Sequence, residues 1–253
     1  MRRATAAAAL ALAAALLAAR LAASDAPDAP DGGGSDHPLA GRIVATADGA
    51  ALDGPEALAE ALRGADVALI GETHDNPLHH AAQAWLVEAL APAGLAFEMI
   101  PAAMEDALAK LRAEDAPDSL LAHALQWEER GWPDFAMYAP IFSAAPEAAV
   151  TGAEIGMESL AVAMRGDPGG AAERSIGAAA ALYGLDDPVA PEVADAMARE
   201  MVAAHCDAID VDTARSMIGA QRLRDAALAD AALRARAYGD GGPVVVITGN
   251  GHA

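Results

Sequence analysis

Short apolar runs alternate along this chain with longer stretches of helical periodicity. Val67-Ala68-Leu69-Ile70 is continuous and stops at Gly71, the pattern of a strand covered on both faces in a parallel sheet. Residues 95–100 (closed by Pro101), 149–153 and 244–248 read as strands of the same kind, and residues 42–46 read as a first strand. Residues 54–63 place Leu58 and Leu62 on one side of a short helix. A helix from Pro77 carries Ala81, Ala84, Trp85, Val87 and Leu90 at helical spacing. Residues 103–113 and 119–127 read as helices, and residues 127–142 as an aromatic loop. Residues 167–237 are almost wholly Ala-rich helix, broken at 184–191. The order predicts an α/β fold: a mainly parallel sheet covered by helices, with a helical insertion before the last strand.

Composition changes this picture mainly at the start. Arg2 and Arg3 precede an apolar stretch, residues 4–19, and the small residues Ala22-Ala23-Ser24 follow. Residues 1–24 read as a cleavable signal peptide, because the stretch is shorter than the ~20 residues of a spanning helix. Cysteine is missing near this junction, which speaks against a lipid anchor, so the expected location is periplasmic or secreted. Residues 25–40, rich in Asp, Pro and Gly, read as a disordered linker, and residues 41–253 as one α/β domain. A net charge of −21 argues against nucleic acid and anionic membranes as partners. Cys206 is the only cysteine, cannot form an internal disulfide, and is expected to be buried and inert.

Two turns of the form Gly-x-x-His carry the chemistry. Gly71-Glu72-Thr73-His74 and Gly249-Asn250-Gly251-His252 each follow a strand, and open α/β sheets bind ligands just beyond their strands' carboxyl ends. Glu98 interrupts an apolar strand between Phe97 and Met99, where a carboxylate must be paired, metal-bound or protonated. Glu72, His74, Glu98 and His252 are therefore expected to meet in one cleft. There the proximity of Glu72 and Glu98 should raise one carboxyl pKa unless a cation intervenes. Asn76 and Pro77 suit the start of a helix, so His79 and His80 fall in its first turn, where free amides favour an anion. Glu154, after the fourth strand, is a weaker candidate. The loop 127–142 holds two of the three Trp and suits a flat apolar ligand, with Tyr138 able to place a phenolate on ferric iron. Gln221 and Asp225 share a helical face and can brace the site, whereas His205 reads as an ordinary histidine.

Together these residues resemble the ChaN-like haem-binding uptake family, in the superfamily of the Tiki metalloproteases and erythromycin esterases. The resemblance rests on Gly71-Glu72-Thr73-His74-Asp75-Asn76-Pro77-Leu78-His79-His80, Phe97-Glu98-Met99, and Trp132-Pro133 with Tyr138-Ala139-Pro140-Ile141. His205-Cys206, Gln221 with Asp225, and Gly249-Asn250-Gly251-His252-Ala253 extend it from about Arg42 to the last residue. It implies an α/β fold with a helical insert, and haem bound at a homodimer interface through a tyrosine. Tyr138 would be the axial ligand, His79 or His80 would contact propionates, and the role would be haem and iron uptake. The wider superfamily implies a Glu/His site onto which Glu72, His74, Glu98 and His252 fall. The alternative is thus a metal-dependent hydrolase holding a divalent ion such as Zn, Mn or Fe. The chain departs from the family in three ways. It has no lipobox cysteine, it carries Glu154-Ile155-Gly156-Met157 where an Asn-x-Pro-Arg-like turn is usual, and it stops one residue after His252. A further loop is expected there, so the domain reads as truncated at its C-terminus.

Overall fold

The computed structural model describes residues 41–239 and 241–253, and the expected signal peptide and linker lie outside them. It divides into two compact units, one ending at Pro55 and one running from Glu56 to Ala253. In the first, β1 (Ile43–Val44) pairs antiparallel with β2 (Ala51–Leu52). The predicted first strand is thus shorter and belongs to a two-stranded hairpin instead of the main sheet. Its turn is local: Asp48 accepts from the amide of Ala50 at 2.9 Å, and Gly49 adopts a left-handed φ of 74°.

The second unit begins within α1 (Pro55–Leu62), whose first residue closes the first unit, and continues with β3 (Val67–Glu72), α2 (Pro77–Leu90) and β4 (Gly94–Phe97). Three helices follow, α3 (Glu105–Ala113), α4 (Asp118–Ala124) and α5 (Phe135–Ala144), and then β5 (Ala149–Gly152). The insertion comprises α6 (Met157–Met164), α7 (Pro168–Ile176), α8 (Pro191–Ala204) and α9 (Val211–Tyr238), and β6 (Val244–Gly249) closes the sheet. The four strands are parallel in the order β3-β6-β4-β5, so the last strand slots between two early ones. Part of the expected aromatic loop is helix: Asp134 caps α5 by accepting from the amide of Ala136. The long helical region has a second break, at Cys206 and Asp207, whose φ angles of 51° and 59° end α8. Cys206 is exposed there, contrary to expectation, because a left-handed turn after a helix end faces solvent.

Each face of the sheet has its own core. Leu95, Phe97, Val245 and Ile247 pack with Val87 of α2 and with Ile141 and Phe142 of α5. On the other side Ala96, Val244 and Val246 lie under Leu223, Ala227, Ala231 and Ala235 of α9. Small residues let this 28-residue helix approach closely: a Cβ at Gly94 would meet Ala235 at 2.9 Å. Thr151, fully buried, donates its hydroxyl to the carbonyl of Ala231 at 2.8 Å. Among the described residues no helix is long and apolar enough to cross a membrane.

Ile247 has no exposed surface and sits on the central strand. Ile247→Ala is expected to lower unfolding stability by about 2–5 kcal/mol, the range for a cavity at a rigid core position. Urea unfolding followed by circular dichroism measures this, and a loss below about 1 kcal/mol would contradict the packing described.

Candidate functional site

The carboxyl edge of the sheet gathers two carboxylate–histidine clusters. β3 ends at Glu72, whose side chain is wholly buried. Its Oε1 accepts from the hydroxyl of Tyr138 and from His74 Nδ1, both at 2.8 Å, and its Oε2 lies 3.0 Å from His80 Nδ1. His80 also meets the carbonyl of His74 through Nε2 at 2.9 Å. Gln83 spends its amide hydrogen on the carbonyl of Ile70, so its oxygen faces His80 Nδ1 at 3.1 Å. Both ring nitrogens of His80 therefore face acceptors, and the ring is held as an imidazolium. Burial opposes that charge, but the hydrogen bond with Glu72 raises the His80 pKa above its usual 6.5. Burial likewise works against the Glu72 charge, yet bonds from His74, His80 and Tyr138 bring its pKa down to about 2.

The second cluster lies around β6. Glu98 directly follows β4, and its amide bonds the carbonyl of Ile247 at 3.0 Å. Its Oε2 accepts from the Thr248 hydroxyl at 2.9 Å and the Gly249 amide at 2.8 Å. Its Oε1 is 3.5 Å from His252 Nε2, and Asp225 Oδ1 is 2.7 Å from His252 Nδ1. Gln221 donates to the carbonyl of Gly251 at 2.9 Å and so steadies the turn that carries His252. Burial disfavours a charged His252, but bonds to Asp225 and Glu98 raise its pKa to about 9. Glu98 is desolvated too, and bonds from His252 and Gly249 hold it at about 2.

Gly249 separates the clusters at close quarters. A Cβ there would meet His74 Nε2 at 3.0 Å and Glu98 Oε2 at 3.5 Å. His74 gives its Nδ1 hydrogen to Glu72, which leaves Nε2 on the other side of the ring, and its side chain is 36% exposed. Trp132 stands edge-on to the ring at 5.1 Å.

Glu72, His74, Glu98 and His252 all line one cleft of about 730 Å³, whose other walls come from α6, α8 and α9. The expected convergence is thus present. The expected raised carboxyl pKa is not: Glu72 and Glu98 are both depressed, because each already faces a histidine and further hydrogen-bond donors. Tyr138, His79 and His80, expected around haem, lie outside the cleft lining. Tyr138 is fully buried with its hydroxyl committed to Glu72, and burial and that carboxylate push its phenol far above the usual range. His80 is 1% exposed, and His79 accepts from the Thr73 amide at 2.8 Å, which makes it part of the turn. Trp127, Phe135, Tyr138 and Phe142 pack on one another as core, leaving Trp132 as the aromatic that reaches the site. Glu154 pairs with Arg130. Among the described residues no three His, Cys, Asp or Glu side chains are placed to hold a metal ion. His252 stands between Glu98 and Asp225, at 3.5 and 2.7 Å. Sequence reasoning missed the methionines of the cleft, although Met197 and Met201 stand one helical turn apart.

A parallel sheet whose carboxyl edge opens on a cleft marks an α/β protein with a small-molecule site. The chain belongs to the haem-binding uptake family of the Tiki superfamily, ChaN, which it matches over residues 58–253. A solved structure described as cofacial haem binding to ChaN of Campylobacter jejuni shares 17% identity at a TM-score of 0.62. The match covers 82% of this chain and 79% of that one and supports the fold. The type III effector HopBA1 also aligns, at 17% identity and a TM-score of 0.46, over 79% of this chain and 74% of its own. No curated protein matches the sequence.

The paired groups set a pH window. Glu72 and Glu98 have depressed pKa values, so their contribution is complete above about 4.5 and is lost as pH falls toward 2. His252 is raised, so its contribution is complete below 6.5 and is lost as pH rises toward 9. Stability should therefore be greatest between pH 4.5 and 6.5 and decline on each side by up to about 3 kcal/mol for each group that titrates, two on the acid side and one on the alkaline side. Urea midpoints measured from pH 2 to 9 test this, and His252→Gln should shorten the alkaline limb. A profile flat above pH 6.5 would contradict the Glu98–His252–Asp225 arrangement.

Proposed function

We propose that this chain binds haem in the cleft at the carboxyl edge of its sheet and serves haem or iron uptake. Family membership supports the class of ligand, and the observation that carries the placement is the cleft itself. Its volume falls in the range of small-molecule sites, and Leu160, Ala220 and Met157 give it apolar wall. His74 directs an uncommitted Nε2 into it, and Arg224 lines it as a cation suited to a propionate. The donor set fits a haem held by imidazole, because the chain's three tyrosines, Tyr138, Tyr183 and Tyr238, lie outside the lining. Bound haem would supply a ferric centre that takes a nitrogen ligand. The leader-like residues 1–24 are the reason for proposing a periplasmic or secreted location, and the family resemblance is the reason for proposing a homodimer.

A second reading rests on the two histidines backed by carboxylates. His74, with its free Nε2, suits a general base, and the protonated His252 suits a general acid, with Glu72 and Glu98 orienting them. This is a hydrolase reading. In its metal-dependent form a divalent ion would have to displace the His252 proton. Elemental analysis of protein purified without chelator separates the two forms, and a stoichiometric metal lost in His74→Ala would favour the metal-dependent one.

Titration of the purified protein with hemin tests the haem reading. A saturable Soret shift is expected, altered in position by His74→Ala and unaltered by Tyr138→Phe. Absence of a saturable shift overturns the reading, and a shift abolished only by Tyr138→Phe overturns the imidazole assignment.

A further inference from the structure

The chain has nine methionines, and five of them line the cleft: Met157, Met164, Met197, Met201 and Met217. Methionine ordinarily fills irregular gaps inside a core. These side chains are not enclosed: Met157 is 75% exposed, Met164 38%, and Met197, Met201 and Met217 are half-buried. Three helices thus contribute methionines to one lining.

One set among them has regular spacing. Met197, Met201 and His205 follow one another at intervals of four, which stacks them on one face of α8 and the residue that caps its C-terminus. All three line the cleft, and Met217 joins them from α9, which packs against α8. The tautomer of His205 is decided by its neighbour. Its Nδ1 lies 2.7 Å from the carbonyl oxygen of Met201, which can only accept, so Nδ1 carries the hydrogen and Nε2 keeps its lone pair.

We propose that Met197, Met201, His205 and Met217 form a binding site for a soft monovalent metal ion, Cu(I). Thioether sulfur is a poor ligand for Mg, Ca or Mn and a good one for Cu(I), and imidazole suits copper as well. The carboxylates that would draw a harder ion, Glu72 and Glu98, are already paired with His74, His80 and His252. The site lies on the wall of the same cleft in which the haem reading places its ligand, through residues to which that reading assigns no contact.

The experiment adds the full-length protein anaerobically to the preformed Cu(I) complex of bathocuproine disulfonate. One equivalent of Cu(I) should pass to the protein, seen as loss of the complex's colour. The triple variant Met197→Leu, Met201→Leu, Met217→Leu keeps the apolar volume and removes the sulfur. It should bind Cu(I) more weakly by at least the ~10-fold that loss of a mere supporting residue costs. X-ray absorption of the copper-loaded unsubstituted protein gives a reading that needs no variant, with a Cu–S shell expected. No transfer from the chelator, undiminished affinity in the variant, or a shell of only N and O scatterers would each overturn the proposal. A protein that binds hemin but takes no Cu(I) overturns this inference alone. One that takes Cu(I) but no hemin overturns only the haem reading.

Discussion

The carboxylate of Glu72 is the constraint around which the site is organised. A charge with no solvent contact costs several kcal/mol unless every oxygen is matched. Glu72 finds its partners on three elements: His74 in the turn after β3 and Tyr138 on α5 bond its Oε1, and the His80 ring on α2 faces its Oε2 at 3.0 Å as a charge partner without hydrogen-bond alignment. The arrangement therefore ties the sheet edge to the two helices that cover it. It also decides the roles of these side chains. Tyr138 and His80 face the carboxylate and lie outside the cleft lining, while His74 bonds the carboxylate and lines the cleft.

The sheet order decides the rest of the geometry. Because β6 lies between β3 and β4, the last turn of the chain is set down between two turns made early in it. Glu98 then bonds Thr248 and Gly249 across the strand boundary, and His252 comes to rest between Glu98 and Asp225. Gly249 lacks a Cβ where His74 and Glu98 come closest, so the two clusters can share one floor. The helical insertion supplies Asp225 and Gln221 and also the apolar wall. A polar floor under a methionine-rich wall suits a ligand with both apolar surface and a point of coordination.

Much of this was legible in the residues. The continuous apolar runs at 67–70, 95–97 and 244–248 announced parallel strands, because a strand buried on both faces has no polar side. Two Gly-x-x-His turns after such runs, and a glutamate interrupting a third, announced the cleft, because parallel strands bring their carboxyl ends to one edge. Gln221 and Asp225 were recognised as supports from their shared helical face. Residues 42–46 were read as a strand and hold one, Ile43–Val44, but its hairpin partner Ala51–Leu52 was not read, because two residues carry too little pattern.

Sequence by itself determined which residues stand at the carboxyl edge, since that follows from local periodicity and from where the runs stop. Only the tertiary structure decided what each of them does there. Whether His80 is a ligand or an ion-pair partner, whether Tyr138 is a phenolate or a buried donor, and whether Glu72 and Glu98 share a proton all depend on distances between segments far apart in the chain. The same holds for the methionines. Their spacing marks one face of a helix, but that the face opens on a cleft depends on how α8 and α9 pack, which no local pattern encodes. Electrostatic and packing energies act over a few ångströms of space, and space is what the linear sequence leaves unstated.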